Sequence, residues 1–212
     1  MRECVKKIRK MAAILMALAV AVCLAGNASV SVQAEGKTNA AKQKKVAVIY
    51  FSATGITKSV AKKIKKATKG NMAEIKAADP YTDDDLDYGE DDSRVTKEHK
   101  SADTPGKSSV RPKIKNLSAI KKAVKKADIV YIGYPIWWGE APHIVYNMVE
   151  NVSLKGKTVV PFCTSASSGL GKSDKNLKKN AKISSKTKWK KGKNFYDTPS
   201  QKTVNKWVQK YK

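Results

Sequence analysis

Histidine and cysteine are scarce in this chain of 212 residues, which has two histidines and three cysteines. Cys4 and Cys23 lie near the N-terminus, so Cys163 is the lone cysteine of the remaining sequence. A single cysteine forms no internal disulfide, and stability must therefore come from packing. Neither His99 nor His143 lies in a motif that would pair it with a nucleophile. We therefore predict no catalytic cysteine and expect Cys163 to be a buried structural residue.

The first 34 residues have the pattern of a secretory signal peptide. Residues 2–10 carry five basic side chains and precede an apolar run at 11–24. That run is shorter than a transmembrane helix, which needs about 20 apolar residues to span a bilayer. Small residues at the cleavage-determining positions predict cleavage near Ala34. The mature protein is accordingly expected to be secreted or associated with the cell envelope.

The remaining sequence is expected to form one domain. Residues 35–44 are polar and alanine-rich, which predicts a flexible leader, and residues 45–212 are long enough for a single hydrophobic core. Lipidation at Cys23 is an alternative to simple export, but bulky Val22 precedes it where a small residue is expected.

The chain has far fewer acidic than basic residues. The chain has 43 lysines and arginines against 18 acids, a net charge of +25, and removal of the first 34 residues leaves +21. Such a charge favours an anionic cell-wall polymer, a membrane surface or an acidic protein as partner. A solvated lysine surface is the alternative interpretation. Nucleic acid is not predicted as a partner, because no recognition helix, zinc spacing or RNP-like aromatic pattern is present.

Eight of the acids lie between Asp79 and Asp92. Alternating acids from Asp83 onward resemble the start of a calcium loop, but Tyr88 and Arg94 stand where an EF-hand needs glycine and glutamate. No metal site is therefore predicted, although a weak surface cation site stays an alternative. We expect residues 79–112 to form a long loop that covers a ligand-binding edge.

Apolar strand patterns alternate with amphipathic helix patterns along residues 46–211. Strands are predicted at 46–51, 73–77, 128–133, 158–163 and near 182–185. Strands that are apolar throughout and separated by amphipathic helices indicate a parallel sheet covered on both faces. The predicted fold class is α/β, a doubly wound five-stranded parallel sheet in a three-layer sandwich.

Three loops are expected to meet at the carboxyl ends of these strands, where ligands of such sheets bind. The first is Ser52-x-Thr54-Gly55-x-Thr57, a hydroxyl-rich turn that leads into a helix. It lacks a Walker lysine and the glycine spacing of a dinucleotide fingerprint. Hydroxyls and free N–H groups at a helix N-terminus suit a single terminal phosphate.

The other two loops favour a planar ligand. Residues 134–142 carry Trp137 and Trp138 between prolines, so one indole can lie against a flat ring. The alternative is that both indoles cap the core. Residues 164–171 offer small side chains and exposed amides, which allow close approach of a polar heterocycle edge.

The chain resembles the flavodoxins, and most of all exported flavodoxin-like proteins with a Tyr-Pro-Ile-Trp-Trp-Gly motif. The matching segments are residues 50–57, 133–139 and 161–169, in family order. The resemblance implies the flavodoxin-like sandwich and bound flavin mononucleotide (FMN). The residues implied to hold the phosphate are Ser52, Thr54, Gly55, Ile56 and Thr57. Those implied to border the ring are Pro135, Ile136, Trp137, Trp138 and Gly139, and, at its other edge, Thr164, Ser165, Ala166, Ser167, Ser168 and Gly169.

The resemblance implies an electron carrier without acid–base residues of its own. An FMN-dependent NAD(P)H reductase of quinones or nitro compounds is an alternative, and a flavin-free wall-associated binding protein is a further one. Typical flavodoxins are acidic, whereas the positive charge here predicts a less negative potential and a redox partner with an acidic surface. The protein is expected to be a monomer.

Overall fold

All strands pair in parallel into one sheet in the computed structural model, which describes residues 43–211. The strands are β1 (Val46–Tyr50), β2 (Asn71–Glu74), β3 (Ile129–Pro135), β4 (Thr158–Thr164), β5 (Lys188–Trp189) and β6 (Lys193–Phe195). Their order is β2-β1-β3-β4-β5, and β6 also pairs with β4. The reversal of direction at β1 is that of a doubly wound α/β fold. The predicted fold class is confirmed, while the predicted signal peptide and most of the predicted leader lie outside the described residues.

The fifth position of the sheet is divided between two short strands. β5 pairs with Thr158 and Val159 at the start of β4, and β6 pairs with the end of β4. The strand predicted near 182–185 is therefore wrong. Ile183 packs against the core from a loop, and Lys182 donates its N–H to the Val149 carbonyl outside any strand. The sequence pattern around one buried apolar residue thus resembled a strand, although the segment forms no β-ladder.

Helices cover both faces of the sheet. They are α1 (Ile56–Thr68), α2 (Arg94–Lys100), α3 (Leu117–Lys125), α4 (His143–Asn151), α5 (Ser173–Asn180) and α6 (Gln201–Val208). α1 and α6 bury Val60, Ile64 and Trp207 in the core on one face. α3 and α4 bury Ile120 and Ile144 in the core on the other face. The core is therefore split by the sheet, as the amphipathic periods predict.

Two helices were not predicted. α2 lies inside the segment 79–112, which was predicted as a loop, and a short 3₁₀ helix at Asp84–Leu86 precedes it. α5 buries Leu177 as its one large apolar residue, too few to produce a helical period. Within residues 43–211, no helix is long and apolar enough to cross a membrane.

Candidate functional site

The loop after β1 is braced by a serine hydroxyl. Ser52 Oγ accepts hydrogen bonds from the N–H groups of Gly55 and Lys58, at 3.1 and 3.2 Å. Both lone pairs of the hydroxyl are then used, and its proton stays free to donate. Gly55 has a φ of 88° with open space around it. The glycine is needed there for its left-handed backbone, not for lack of room.

The same loop presents unpaired donors at the N-terminus of α1. Among residues 43–211, the N–H groups of Thr54, Ile56 and Thr57 have no hydrogen-bond acceptor. The first turn of α1 also carries no acidic side chain. The positive end of the helix dipole and these donors are together suited to hold an anion. That the anion is a phosphate stays a prediction.

A buried hydrogen bond joins the first loop to the third. Thr57 Oγ1 and Thr164 Oγ1 lie 2.7 Å apart, across a sequence separation of 107 residues. Thr164 also accepts, through its carbonyl, the N–H of Ile136 in the second loop. In a pair of hydroxyls one proton is shared and the other is left to donate to a ligand. Thr164 thus connects all three predicted segments at one edge.

The second loop contains a tight turn at Trp137–Glu140. Trp137 and Glu140 exchange both backbone hydrogen bonds at 2.9 Å. The two central residues, Trp138 and Gly139, have φ values of 51° and 77°. Two positive φ values define a type I′ turn, which places Trp138 at its tip. The left-handed backbone of a bulky residue such as Trp138 costs free energy. Strained residues of this kind are common at functional sites.

Glu140 holds this turn to the helices behind it. Its carboxylate accepts from Asn176 Nδ2 at 2.6 Å and from the Tyr146 hydroxyl at 3.3 Å. Burial raises the pKa of Glu140 above its usual value, against the lowering effect of these two bonds. The turn is therefore anchored at its base, while its tip projects from the sheet edge.

The two tryptophans have different roles. Trp137 is buried in the core and packs edge-on against Phe51 and Tyr81, with ring centroids 5.5 and 5.2 Å away. Trp138 is 44% exposed and stacks on His99, with centroids 4.6 Å apart and planes 7° apart. Trp138 is thus the indole able to present a free surface to a planar ligand.

The third loop touches the turn through glycines. Gly171 has a φ of 53°, and a Cβ added there would lie 2.5 Å from the Gly139 carbonyl oxygen. Ser165 Oγ accepts the Gly169 N–H at 3.2 Å and lies 3.0 Å from Ser168 Oγ. Ala166, Ser167 and Ser168 are exposed. The predicted small-residue loop therefore lies directly against the predicted aromatic loop.

Three aromatic side chains at this edge were not predicted. Tyr196 follows β6, is 65% exposed, and its hydroxyl would lie 3.5 Å from a Cβ added at Gly169. His99 and Tyr88 flank Trp138. Tyr196 was missed because the fifth strand was placed near 182–185, so the loop after β6 was not recognised as part of the sheet edge. His99 and Tyr88 were missed because residues 79–112 were predicted as a loop without assigned contacts. A correct C-terminal end for β6 would have placed Tyr196 at this edge.

The segment 79–112 lies beside the turn, where Tyr88 and His99 contact Trp138; that it covers a ligand stays a prediction. Near its start, the Tyr81 ring packs against Phe51 and Trp137, with centroids 5.5 and 5.2 Å apart. Within the segment, the Tyr81 hydroxyl donates to the Glu98 carboxylate at 2.9 and 3.1 Å. Arg111 makes a bidentate pair with Glu150, each bond 2.7 Å long. Burial raises the pKa of Glu98. The segment is therefore packed against the domain at both ends.

Metal ligands do not gather anywhere in the described part of the chain. No group of three or more His, Cys, Asp or Glu residues is placed to hold a metal ion there. The acids of the segment 79–112 instead pair locally, as in Asp91 with Lys100 at 2.7 Å and Asp103 with Lys107 at 3.2 Å. Cys163 is buried and donates to Asn194 Oδ1, and burial raises the pKa of its thiol to about 12, in keeping with a structural role.

A family model described as flavodoxin matches residues 45–211. The chain belongs to the flavodoxin family. Among solved structures, it is similar to a protein from Bacteroides eggerthii assigned as a flavoprotein, with 39% identity and a TM-score of 0.67 over 78% of this chain and 96% of that one. A second, from Bacteroides uniformis, has 36% identity and a TM-score of 0.66 over 79% and 99%.

A more distant structure shares the fold of this flavodoxin. It is a flavoprotein from Lactobacillus acidophilus in complex with FMN, with 21% identity and a TM-score of 0.51 over 78% of this chain and 99% of that one. Comparison with curated proteins finds no match. The family and the flavoprotein relatives indicate a flavin as the cofactor of this chain.

Proposed function

We propose that this flavodoxin binds FMN at the carboxyl edge of its sheet and transfers electrons through the bound flavin. One observation carries the proposal: the N–H groups of Thr54, Ile56 and Thr57, unpaired within residues 43–211, lie in a loop at the same sheet edge as the exposed indole of Trp138. The first group fits a terminal phosphate and the second fits a planar ring. When bound, FMN supplies the redox chemistry, and the protein supplies binding, orientation and electrostatics.

The residues of the three loops would divide this task. The first loop would hold the phosphate with backbone N–H groups and with the free proton of Ser52 Oγ. Trp138 would lie against the ring, and residues 164–169 would border its polar edge. Trp137 would act indirectly, because it is buried and fixes the turn that carries Trp138.

A charge reversal in the first loop tests the phosphate assignment. Thr54 is exposed beside the free N–H groups, so Thr54→Glu sets a carboxylate against the phosphate. We expect FMN affinity to fall by at least about 30-fold, roughly 2 kcal/mol, while riboflavin affinity changes little. Thr203→Glu on α6 is the matched control and should leave both affinities unchanged. Equal losses for FMN and riboflavin would contradict the phosphate site.

A second candidate function is an FMN-dependent NAD(P)H reductase of quinones or nitro compounds. The observation that favours it is the packing of His99 and Tyr88 beside Trp138, which gives the edge a wall against which a substrate ring could stack. Rapid NADPH oxidation with a quinone, without an added reductase, would favour this function. Turnover that requires a separate reductase would favour the electron carrier.

Export and an acidic redox partner complete the proposal. Both rest on the sequence: the signal-like first 34 residues and the large excess of lysine. Steering by charge predicts that association with an acidic partner slows as salt increases. The local charge near the flavin edge also includes the acids of segment 79–112, so the potential depends on their placement as well as on net charge.

A further inference from the structure

The amino edge of the sheet, opposite the proposed flavin site, carries a dense set of lysines. Because the strands are parallel, all their amino ends meet at this edge. The segments that precede the strands each contribute lysine. We name Lys44, Lys45, Lys69, Lys125, Lys126, Lys155, Lys186 and Lys188 the amino-edge lysine surface; all eight are exposed.

Acids are nearly absent from the segments that form this surface. In the five stretches that lead into the strands, Asp128 is the one acid, and its carboxylate accepts the Lys45 N–H at 2.7 Å. Glu150, near the end of α4, is already paired with Arg111. None of the eight lysines forms a salt bridge within residues 43–211. The positive charge of this edge is therefore available to an anionic partner.

Most acids lie in one segment outside this surface. Eleven of the sixteen acids from residue 43 onward lie between Glu74 and Asp103, in the segment that follows the carboxyl end of β2. The lysines of the amino edge and most of the acids are thus in separate parts of the domain. A polar charge distribution of this kind orients a protein on a charged surface as well as attracting it.

Three observations favour a flat anionic surface over a groove-bound polymer. Seven of the lysines precede strands at five neighbouring positions, and Lys188 is the first residue of β5, so they spread over the width of the sheet, about 20 Å at the usual strand spacing. Residues 43–45 directly precede β1, which begins at Val46, so Lys44 and Lys45 lie side by side at this same edge. In the described part of the chain the exposed large apolar side chains are Ile56, Tyr88, Val110, Trp138 and Tyr196, and none of these directly precedes a strand. Contact with a surface at this edge is therefore electrostatic.

We propose that the amino-edge lysine surface binds the anionic headgroups of a phospholipid bilayer. Lysines near an anionic membrane each strengthen binding, and the effect is screened by salt. Binding at the amino edge would direct the carboxyl edge away from the membrane. The lipid binding stands by itself, while the direction in which the flavin faces rests on the proposed function.

The test is co-sedimentation of the chain from residue 35 onward with vesicles of phosphatidylglycerol and phosphatidylcholine. This segment contains the whole described domain and lacks the signal-like sequence. The amino-edge variant is Lys69→Gln, Lys125→Gln, Lys126→Gln and Lys155→Gln. The control has the same charge loss at exposed lysines of α5 and α6: Lys175→Gln, Lys179→Gln, Lys202→Gln and Lys206→Gln.

We expect the amino-edge variant to lose at least about 100-fold in vesicle affinity, because each lysine near the membrane contributes roughly fivefold, and the control to lose less than a tenth of that. Equal losses in the two variants would overturn the proposal, because net charge alone would explain them. Equal binding to pure phosphatidylcholine, or binding to soluble polyphosphate but not to vesicles, would overturn it as well. The readout needs no flavin, so it is independent of the proposed function.

Discussion

The hydroxyl groups of Thr57 and Thr164 lie 2.7 Å apart and are buried. Thr57 is in the first turn of α1, and Thr164 is the last residue of β4. Their hydrogen bond fixes the distance between the loop proposed to hold the phosphate and the loop proposed to border the ring. A ligand that contacts both loops therefore meets a spacing that is set before it binds, which lowers the ordering cost of binding.

A double-mutant cycle measures this coupling. Thr57→Val alone leaves the Thr164 hydroxyl buried without its partner, at a cost of about 1 to 3 kcal/mol in unfolding free energy. The double variant Thr57→Val with Thr164→Val should cost less than the two single variants added together. Chemical denaturation of the four proteins gives the coupling energy, and strict additivity would show that the hydrogen bond contributes nothing.

The neighbouring tryptophans should respond in opposite ways to substitution. Trp137→Ala removes a buried indole and should cost about 3 to 5 kcal/mol in stability. Trp138→Asn relieves a left-handed backbone that asparagine tolerates, so stability should be unchanged or higher. The same variant should lower the affinities for FMN and riboflavin alike, because both share the ring. Retained affinity in a folded Trp138→Asn protein would exclude this indole from the ring site.

Substitution of Gly171 tests the contact between the second and third loops. In Gly171→Ala, strain from a φ of 53° adds to a Cβ that would lie 2.5 Å from the Gly139 carbonyl oxygen. Gly156→Ala is the control, since its φ is 73° but nothing lies within 4 Å of the added Cβ. We expect the control to lose about 1 to 2 kcal/mol in unfolding free energy and Gly171→Ala to lose more. Thermal unfolding measures both, and equal losses would show that the loops do not touch.

Acid should destabilise the protein through His143. Burial, and then the nearby Arg111 charge, lower the pKa of His143 from 6.5 to about 4. The unfolded state then binds a proton that the folded state does not, so stability is lost as pH falls from about 6.5 to about 4 and stays level below that range. The loss should be about 2 kcal/mol after allowance for solvent screening.

The variant His143→Leu isolates this effect. Leucine has a similar volume to histidine, is apolar and does not titrate. Its unfolding free energy should depend less on pH than that of the wild type between pH 4 and 6.5, with parallel curves above pH 7. Identical curves over the whole range would show that His143 has the same pKa in the folded and unfolded protein.

Local sequence patterns were sufficient for the strands and loops nearest the centre of the sheet. β1 and β3 are apolar over their length because helices cover both faces, and their ends lie within two residues of the predicted ones. Tyr134 and Pro135, predicted in the second loop, are the last residues of β3. The fifth strand was misplaced because β5 and β6 are only two and three residues long, too short for a periodic signal.

The roles of individual side chains needed the tertiary structure. No local signal distinguishes Trp137 from Trp138, because their different burial follows from a turn type and from contacts with Phe51 and His99, which are distant in sequence. The charged composition of α2 concealed a helix that is stabilised by the Ser93 cap, whose side chain accepts from the Thr96 N–H. Long-range packing of this kind is invisible to periodicity.

Titration of FMN into the purified flavin-free chain from residue 35 onward is the most direct measurement of the proposed site. We expect saturable binding of one FMN per chain with micromolar or tighter affinity, quenching of tryptophan fluorescence, and clearly weaker binding of riboflavin. The absence of FMN binding at micromolar concentrations, with the protein shown to be folded, would contradict the proposal that this flavodoxin works through FMN.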